Sequence, residues 1–150
     1  TYSVSSSSIW FAGKANGEIR TAAGAYSSEM MPPPWGSDPG AAEHKFYKVS
    51  KSDLADPLNN EDFQNWPTDL GAPWVDVDGD GVYSPLPGGP DHPEFVGDQV
   101  MWYVANDGAP GTHGLFGTLP LGLEVQFTMF GFDRPDVFGV MMFFQGLAIN

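Results

Sequence analysis

The chain contains no cysteine in its 150 residues. That absence excludes disulfides, thiolate zinc sites, iron–sulfur clusters and a cysteine nucleophile. Bases are scarce too: six Lys and Arg stand against nineteen Asp and Glu, giving a net charge of −13. Between Lys51 and Arg134 there is no Lys or Arg at all, while that stretch carries fourteen acidic residues. Such a surface repels phosphate backbones and anionic lipid, so neither nucleic acid nor a membrane surface is an expected partner. No apolar run approaches the roughly 20 residues of a membrane-spanning helix, and no span is expected. The opening Thr1-Tyr2-Ser3-Val4 lacks the charged and apolar regions of a signal peptide. The expectation is a mature product, or a piece of a longer chain.

What is abundant is Gly (19) and Pro (14), spread without a period, which disfavours long helices. The fold class expected is mainly β, an antiparallel sheet or sandwich with long loops, in one domain or domain fragment over 1–150. A strand over 9–12, a turn over 13–17 and a returning strand over 18–23 begin it, and 45–49 alternates like a short strand. Residues 31–40 read as loop. Helix is expected only within 51–66, as one or two short turns capped by Ser52 and Asn60 and bounded by Pro57 and Pro67. Three longer strands follow, over 99–105, 121–132 and 137–149. In the second, Leu123, Val125, Phe127 and Met129 share one face, opposite Glu124, Gln126 and Thr128. The third is apolar on both faces, which implies cover on both sides, by earlier strands or by another chain.

The feature that carries chemistry is Asp76-Val77-Asp78-Gly79-Asp80-Gly81-Val82. Calcium takes six to eight hard oxygen ligands, and the first half of an EF-hand loop supplies them at alternate positions. Asp76, Asp78 and Asp80 occupy positions 1, 3 and 5, Gly81 the sharp turn at 6, and Val82 the carbonyl position 7. The second half departs from an EF-hand, with Ser84 at position 9 and Pro87 where a bidentate Glu would stand. Pro85 and Pro87 also forbid an exiting helix. The missing oxygens must come from elsewhere, and Asp91, Glu94 and Asp98 are the nearest candidates. The bland alternative is a solvated acidic turn, since Asp and Gly both favour turns.

Other patterns are weaker. His92 lies between Asp91 and Pro93, but a single loop histidine makes a poor transition-metal site. His44 and His113 are isolated in sequence. Trp35, Trp66, Trp74 and Trp102 can stack on sugars or fill a core, so a glycan is an alternative partner. No lipase-type serine motif, zinc-protease helix motif or phosphate-binding loop is present. A hydrolase fragment is therefore the least favoured reading, and no enzyme is expected.

Several segments in order resemble large secreted bacterial surface proteins of undefined function, many of them exported with a type IX sorting domain. The resemblance rests on Ser8-Ile9-Trp10-Phe11-Ala12-Gly13-Lys14, on Phe46-Tyr47-Lys48-Val49, and on Asn65-Trp66-Pro67. It continues through 72–83 with its DxDGDGVY loop, Gly97-Asp98-Gln99-Val100-Met101-Trp102-Tyr103-Val104, and Pro120-Leu121-Gly122-Leu123-Glu124-Val125-Gln126. Ser84 stands where the family pattern has Asp. The resemblance implies a secreted, extracellular or cell-surface protein that is not an enzyme. Together with the calcium loop and the doubly apolar final strand, it leads us to expect a calcium-stabilised structural protein. Its expected partner is itself, in a homo-oligomer or filament-like polymer through strand edges.

Overall fold

The computed structural model describes residues 8–23, 29–32, 34–38, 40–86, 89–108, 113–114, 116–134 and 139–149, the last stretch by its backbone alone. The architecture is mainly β and antiparallel, with helical turns confined to 51–70. Among the described residues, no helix is long and apolar enough to cross a membrane. The chain divides into two compact units. One comprises Thr1–Lys45, Val104–Val125 and Ala148–Asn150; the other comprises Phe46–Tyr103 and Gln126–Leu147.

In the first unit, β1 (Trp10–Ala15) and β2 (Glu18–Ala23) form an antiparallel hairpin. Its turn is only Asn16-Gly17, tighter than the five residues expected. Asn16 (φ 52°) and Gly17 (φ 87°) both take the left-handed backbone of the two-residue turns that match strand twist. This lets Lys14 and Ala15 stay in the ladder, paired with Ile19 and Glu18. Trp10 is 68% exposed and leans on Phe116 at 5.0 Å between ring centres. Residue 31, expected in a loop, makes an isolated bridge to Asn106.

The second unit opens with β3 (Tyr47–Ser50), which starts two residues and ends one residue later than the 45–49 expected. At its end the Lys51 N–H donates to the Asp98 carbonyl, and the chain turns there into a 3-10 segment, Lys51–Ala55. The N-cap position therefore falls on Ser50, not Ser52; Ser50 N–H donates to the Asp53 carboxylate at 2.8 Å. Asn60 does cap α1 (Glu61–Gln64), accepting from Asp62 N–H and Phe63 N–H. Two further 3-10 turns, Pro57–Asn59 and Thr68–Leu70, flank that helix, the latter beyond the expected window. Two short strands, β4 (Trp74–Val75) and β5 (His92–Pro93), follow and pair with each other.

The long strands are β6 (Gln99–Asn106), β7 (Glu124–Arg134) and β8 (Gly139–Ile149), and the sheet order is β3-β6-β7-β8. β3 pairs antiparallel with β6, setting Tyr47 against Trp102 and Val49 against Val100. The core of this unit gathers Tyr47, Val49, Phe63, Trp66, Val100 and Trp102, each at 4% exposure or less. Gly97 allows a close crossing, since a Cβ there would lie 2.2 Å from the Gly131 carbonyl. β7 starts three residues later than expected because the N–H groups of Leu121, Gly122 and Leu123 bond to the Asp107 carboxylate instead of a ladder. Val125 and Phe127 are buried on the expected face, but Leu123 and Met129 of that face are half-buried, as are Glu124, Gln126 and Thr128 opposite. Of the expected strand 137–149, residues 137 and 138 and all its side chains, hence its doubly apolar character, lie outside the described residues.

Candidate metal centre

The site is built by the β4–β5 hairpin. Trp74 pairs with Pro93 and Val75 with His92, so the next step of that antiparallel register sets Asp76 opposite Asp91. Fourteen intervening residues, 77–90, form the loop. Its first turns are curled by its own carboxylates. Asp76 accepts from Gly79 N–H at 2.7 Å and Gly81 N–H at 2.9 Å, and Asp80 accepts from Val82 N–H at 2.7 Å. Gly79 (φ 78°) and Gly81 (φ 77°) both adopt the left-handed backbone this curl demands. The result is that Asp76, Asp78, Asp80 and Asp91 each present an oxygen, all within 4.8 Å of one another.

The two halves of the site differ in exposure. Asp76, Asp78 and Asp80 face solvent, whereas Asp91 is only 2% exposed. Burial alone would raise the Asp91 carboxyl. Hydrogen bonds from the Val77 and Ser84 N–H groups and the Ser84 hydroxyl, with the His92 charge, outweigh it, and the net direction is down. Those bonds are 2.9, 2.9 and 3.3 Å long. Ser84, at the ninth loop position, thus holds the Asp91 carboxylate in place through both its N–H and its hydroxyl. Asp78 goes the other way: partial loss of its water, then the charges of Asp80, Asp91 and Asp76, raise it against one lowering hydrogen bond from Asp80 N–H.

Tyr83 fastens the loop to the core. Its hydroxyl donates to the Phe63 carbonyl of α1 at 2.6 Å, and its ring meets Trp74 edge-on at 5.5 Å. Burial, then the Asp91 charge, push that hydroxyl well above the usual tyrosine range, so it stays a donor at any physiological pH. No cationic side chain of Lys or Arg occurs between Lys51 and Arg134 to neutralise the four acids. All four offer hard oxygen, the donor type of calcium, magnesium and manganese rather than of soft metals. The cluster can hold a metal ion.

Of the residues expected at the centre, Asp76, Asp78, Asp80 and Asp91 converge; Glu94 and Asp98 are not in the cluster. Glu94 lies past the end of β5, exposed, with its N–H on the Pro73 carbonyl. The Asp98 carboxylate accepts from Asp133 N–H at 2.8 Å, which commits it to the sheet. Val82 lies within the curled loop, its N–H on Asp80. His92 is outside the cluster as well, its Nδ1 against the Pro93 carbonyl and its ring over Phe95. Among the tryptophans, Trp66 and Trp102 are core, while Trp35 is 52% exposed.

One constellation had no trace in the sequence. Glu29 and His113, both buried, approach to 3.3 Å, and His113 Nε2 lies 3.2 Å from Thr118 Oγ1. The order acid, imidazole, hydroxyl has the form of a proton relay. Thr118 Oγ1, however, also accepts from Thr21 N–H and reaches the Thr21 carbonyl, so it ties β2 to the 113–120 segment. The arrangement reads as an internal brace.

The opposed shifts at the metal centre give a pH signature. A carboxyl raised on folding, as Asp78 is, contributes stability below its unfolded value of 3.8 and loses it as pH rises through the folded value. Asp91, lowered on folding, contributes stability above 3.8 and loses it as pH falls. In chelator at neutral pH, Asp78→Asn should therefore raise the melting temperature, and the gain should vanish once the solution is more acidic than the ordinary aspartate value. A variant that melts below the parent at neutral pH would contradict this. Comparison with family models, curated proteins and solved structures yields no match to this chain.

Proposed function

We propose that the chain is a calcium-stabilised structural protein of the extracellular space or cell surface, and that it assembles with copies of itself. The observation that carries this reading is the convergence of four carboxylate oxygens within 4.8 Å on one hairpin. Calcium suits that donor set because it tolerates irregular shells of six to eight oxygens, whereas magnesium demands a near-ideal octahedron. The Val82 carbonyl is the proposed fifth protein donor, with water or a partner supplying the rest. A site with three of four acids in solvent is of the weak class that millimolar extracellular calcium fills. That inference, rather than the lack of cysteine, supports secretion.

Assembly is supported by the strand order. Among the described residues β8 takes an edge of the β3-β6-β7-β8 sheet, with β7 as its hydrogen-bonded neighbour. An open edge offers unpaired N–H and C=O groups to a strand of another chain. Sedimentation velocity and electron micrographs of purified protein, in millimolar calcium and in chelator, test this. The expected result is calcium-dependent oligomers or filaments. Monomer alone at high concentration with calcium present would rule assembly out.

A second reading, a glycan-binding module, draws on Trp35. Its ring packs so tightly over Gly108 that a Cβ there would fall 2.3 Å from it, and the Trp35 backbone N–H donates to the Glu124 carboxylate at 2.8 Å. A half-exposed, pinned indole is a sugar-stacking surface. Retention on a glycan array that is lost in Trp35→Ala would favour this reading over the structural one.

A further inference from the structure

The β1–β2 hairpin has one closed edge and one open edge. In a two-residue hairpin the residues flanking the turn, Ala15 and Glu18, form a hydrogen-bonded pair, and such pairs recur at every second position. Phe11, Gly13 and Ala15 therefore commit their backbone groups to β2, while the N–H and C=O groups of Trp10, Ala12 and Lys14 point outward. The same parity turns Thr21 outward on β2, and there the edge is closed. Thr21 N–H donates to Thr118 Oγ1 at 3.2 Å, and the Thr118 hydroxyl donates to the Thr21 carbonyl at 3.3 Å. β1 has no such cap: among the described residues, none of the outward groups of Trp10, Ala12 and Lys14 has a hydrogen-bond partner. The usual protections of an edge are missing too, since β1 pairs along its whole length without a bulge and contains no proline.

We infer that β1 is a self-pairing edge, on which β1 of a second copy lies antiparallel about a two-fold axis at Ala12. The inference rests on the self-assembly reading above for its occupant, but not on the metal. The edge is complementary to itself. With Ala12 facing Ala12 of the copy, Trp10 falls opposite the copy's Lys14, and Lys14 opposite the copy's Trp10. Directly opposed residues project from the same side of a sheet, so an ammonium group meets an indole ring twice. Both side chains are available. Trp10 is 68% exposed, with its Nε1–H on the Ser8 hydroxyl at 3.0 Å, and Lys14 is exposed. Alternation puts Glu18 and Arg20 on the other face of the hairpin, which leaves Lys14 the charge on this one. In this register every outward group of β1 is used, each facing pair exchanging an N–H and a C=O in both directions. Within β1 any other antiparallel register leaves part of the edge unpaired, and one of them sets lysine against lysine. Both copies use the same surface, so the contact closes as a two-fold dimer.

The test is sedimentation velocity on the whole chain in chelator, up to on the order of 1 mM protein, because so short a contact belongs to the weak class of interfaces. The expected result is a concentration-dependent dimer. Ala12→Pro removes only an outward N–H, which an edge strand tolerates, and should leave a folded monomer. Lys14→Gln should weaken the dimer by roughly fivefold to thirtyfold, the loss of two exposed cation–π contacts. Register is read separately by mild oxidation, since the parent has no cysteine. Ala12→Cys should give a covalent dimer, because facing Cα atoms lie about 5.5 Å apart, within disulfide reach. Ser8→Cys, far from the axis, should not. Should Ala12→Pro fail to fold, Lys14→Gln and the two cysteine variants decide. A parent that stays monomeric at the highest concentration, a dimer indifferent to folded Ala12→Pro or to Lys14→Gln, or equal cross-linking at Ser8 and Ala12 would each overturn the β1 contact. Growth beyond the dimer on adding millimolar calcium belongs to the reading above. Its absence with the chelator dimer intact would remove calcium-dependent assembly and uphold the β1 edge.

Discussion

Millimolar calcium should raise the melting temperature of this protein by roughly 5–10 °C over the same protein in chelator, and Asp78→Ala should abolish the increment. The size follows from linkage. An ion that binds the folded chain alone and is present at about 100 times its dissociation constant stabilises it by about 2.7 kcal/mol. For a chain of this length each kcal/mol moves the midpoint by roughly 2–4 °C. The folded chain alone has the site, because only the β4–β5 register brings Asp91 back to Asp76 across fourteen residues. Asp78 is the informative position. Among the described residues it accepts one hydrogen bond, a long one of 3.3 Å from Asp80 N–H, so its removal would take away a carboxylate of the cluster with little damage to the curl. Asp76 holds two of the loop's N–H groups, and its substitution would confound ligand loss with unfolding of the loop. Identical melts in calcium and in chelator would contradict the prediction.

A comparably large effect is expected at Asp107, which is not a member of the carboxylate cluster. Asp107 has no exposed surface, and its carboxylate accepts the N–H groups of Leu121, Gly122 and Leu123 at 2.6, 3.1 and 2.7 Å. These three bonds turn the chain into the start of β7. An unsatisfied buried donor costs about 1–3 kcal/mol, so Asp107→Leu, which strands all three, should destabilise by roughly 3–5 kcal/mol after the relief of burying a charge is counted. Asp107→Asn keeps one accepting oxygen and should lose roughly half as much. Urea unfolding in saturating calcium measures both, and the calcium increment should persist in Asp107→Asn. A loss under about 1 kcal/mol in Asp107→Leu would show that water or relaxation satisfies those donors.

The two aspartate sites differ in how far they could be read from sequence. Asp76, Asp78 and Asp80 were legible because their geometry is local: alternate positions on a tight, glycine-hinged loop point inward whatever surrounds it. The fourth ligand was not. Asp91, Glu94 and Asp98 all follow the loop closely in sequence, and the pairing of Val75 with His92 selects the first. Asp107 and the Glu29–His113–Thr118 brace were wholly illegible, since their partners lie in other elements and carry no periodic pattern. Strands fared better. Alternation at Val125 and Phe127 matched their burial, and β6 ended one residue from its expected limit. Errors fell at ends, where a side chain or a turn competes with the ladder: at Asn16-Gly17, at Ser50, and at 121–123.

The most direct test is a calcium titration by calorimetry on the parent and three single variants. One ion per chain should bind the parent. Asp78→Ala and Asp91→Ala should lose the heat, and Glu94→Gln should retain it. Absence of heat in the parent, or binding that survives Asp91→Ala, would show that the four carboxylates do not share an ion.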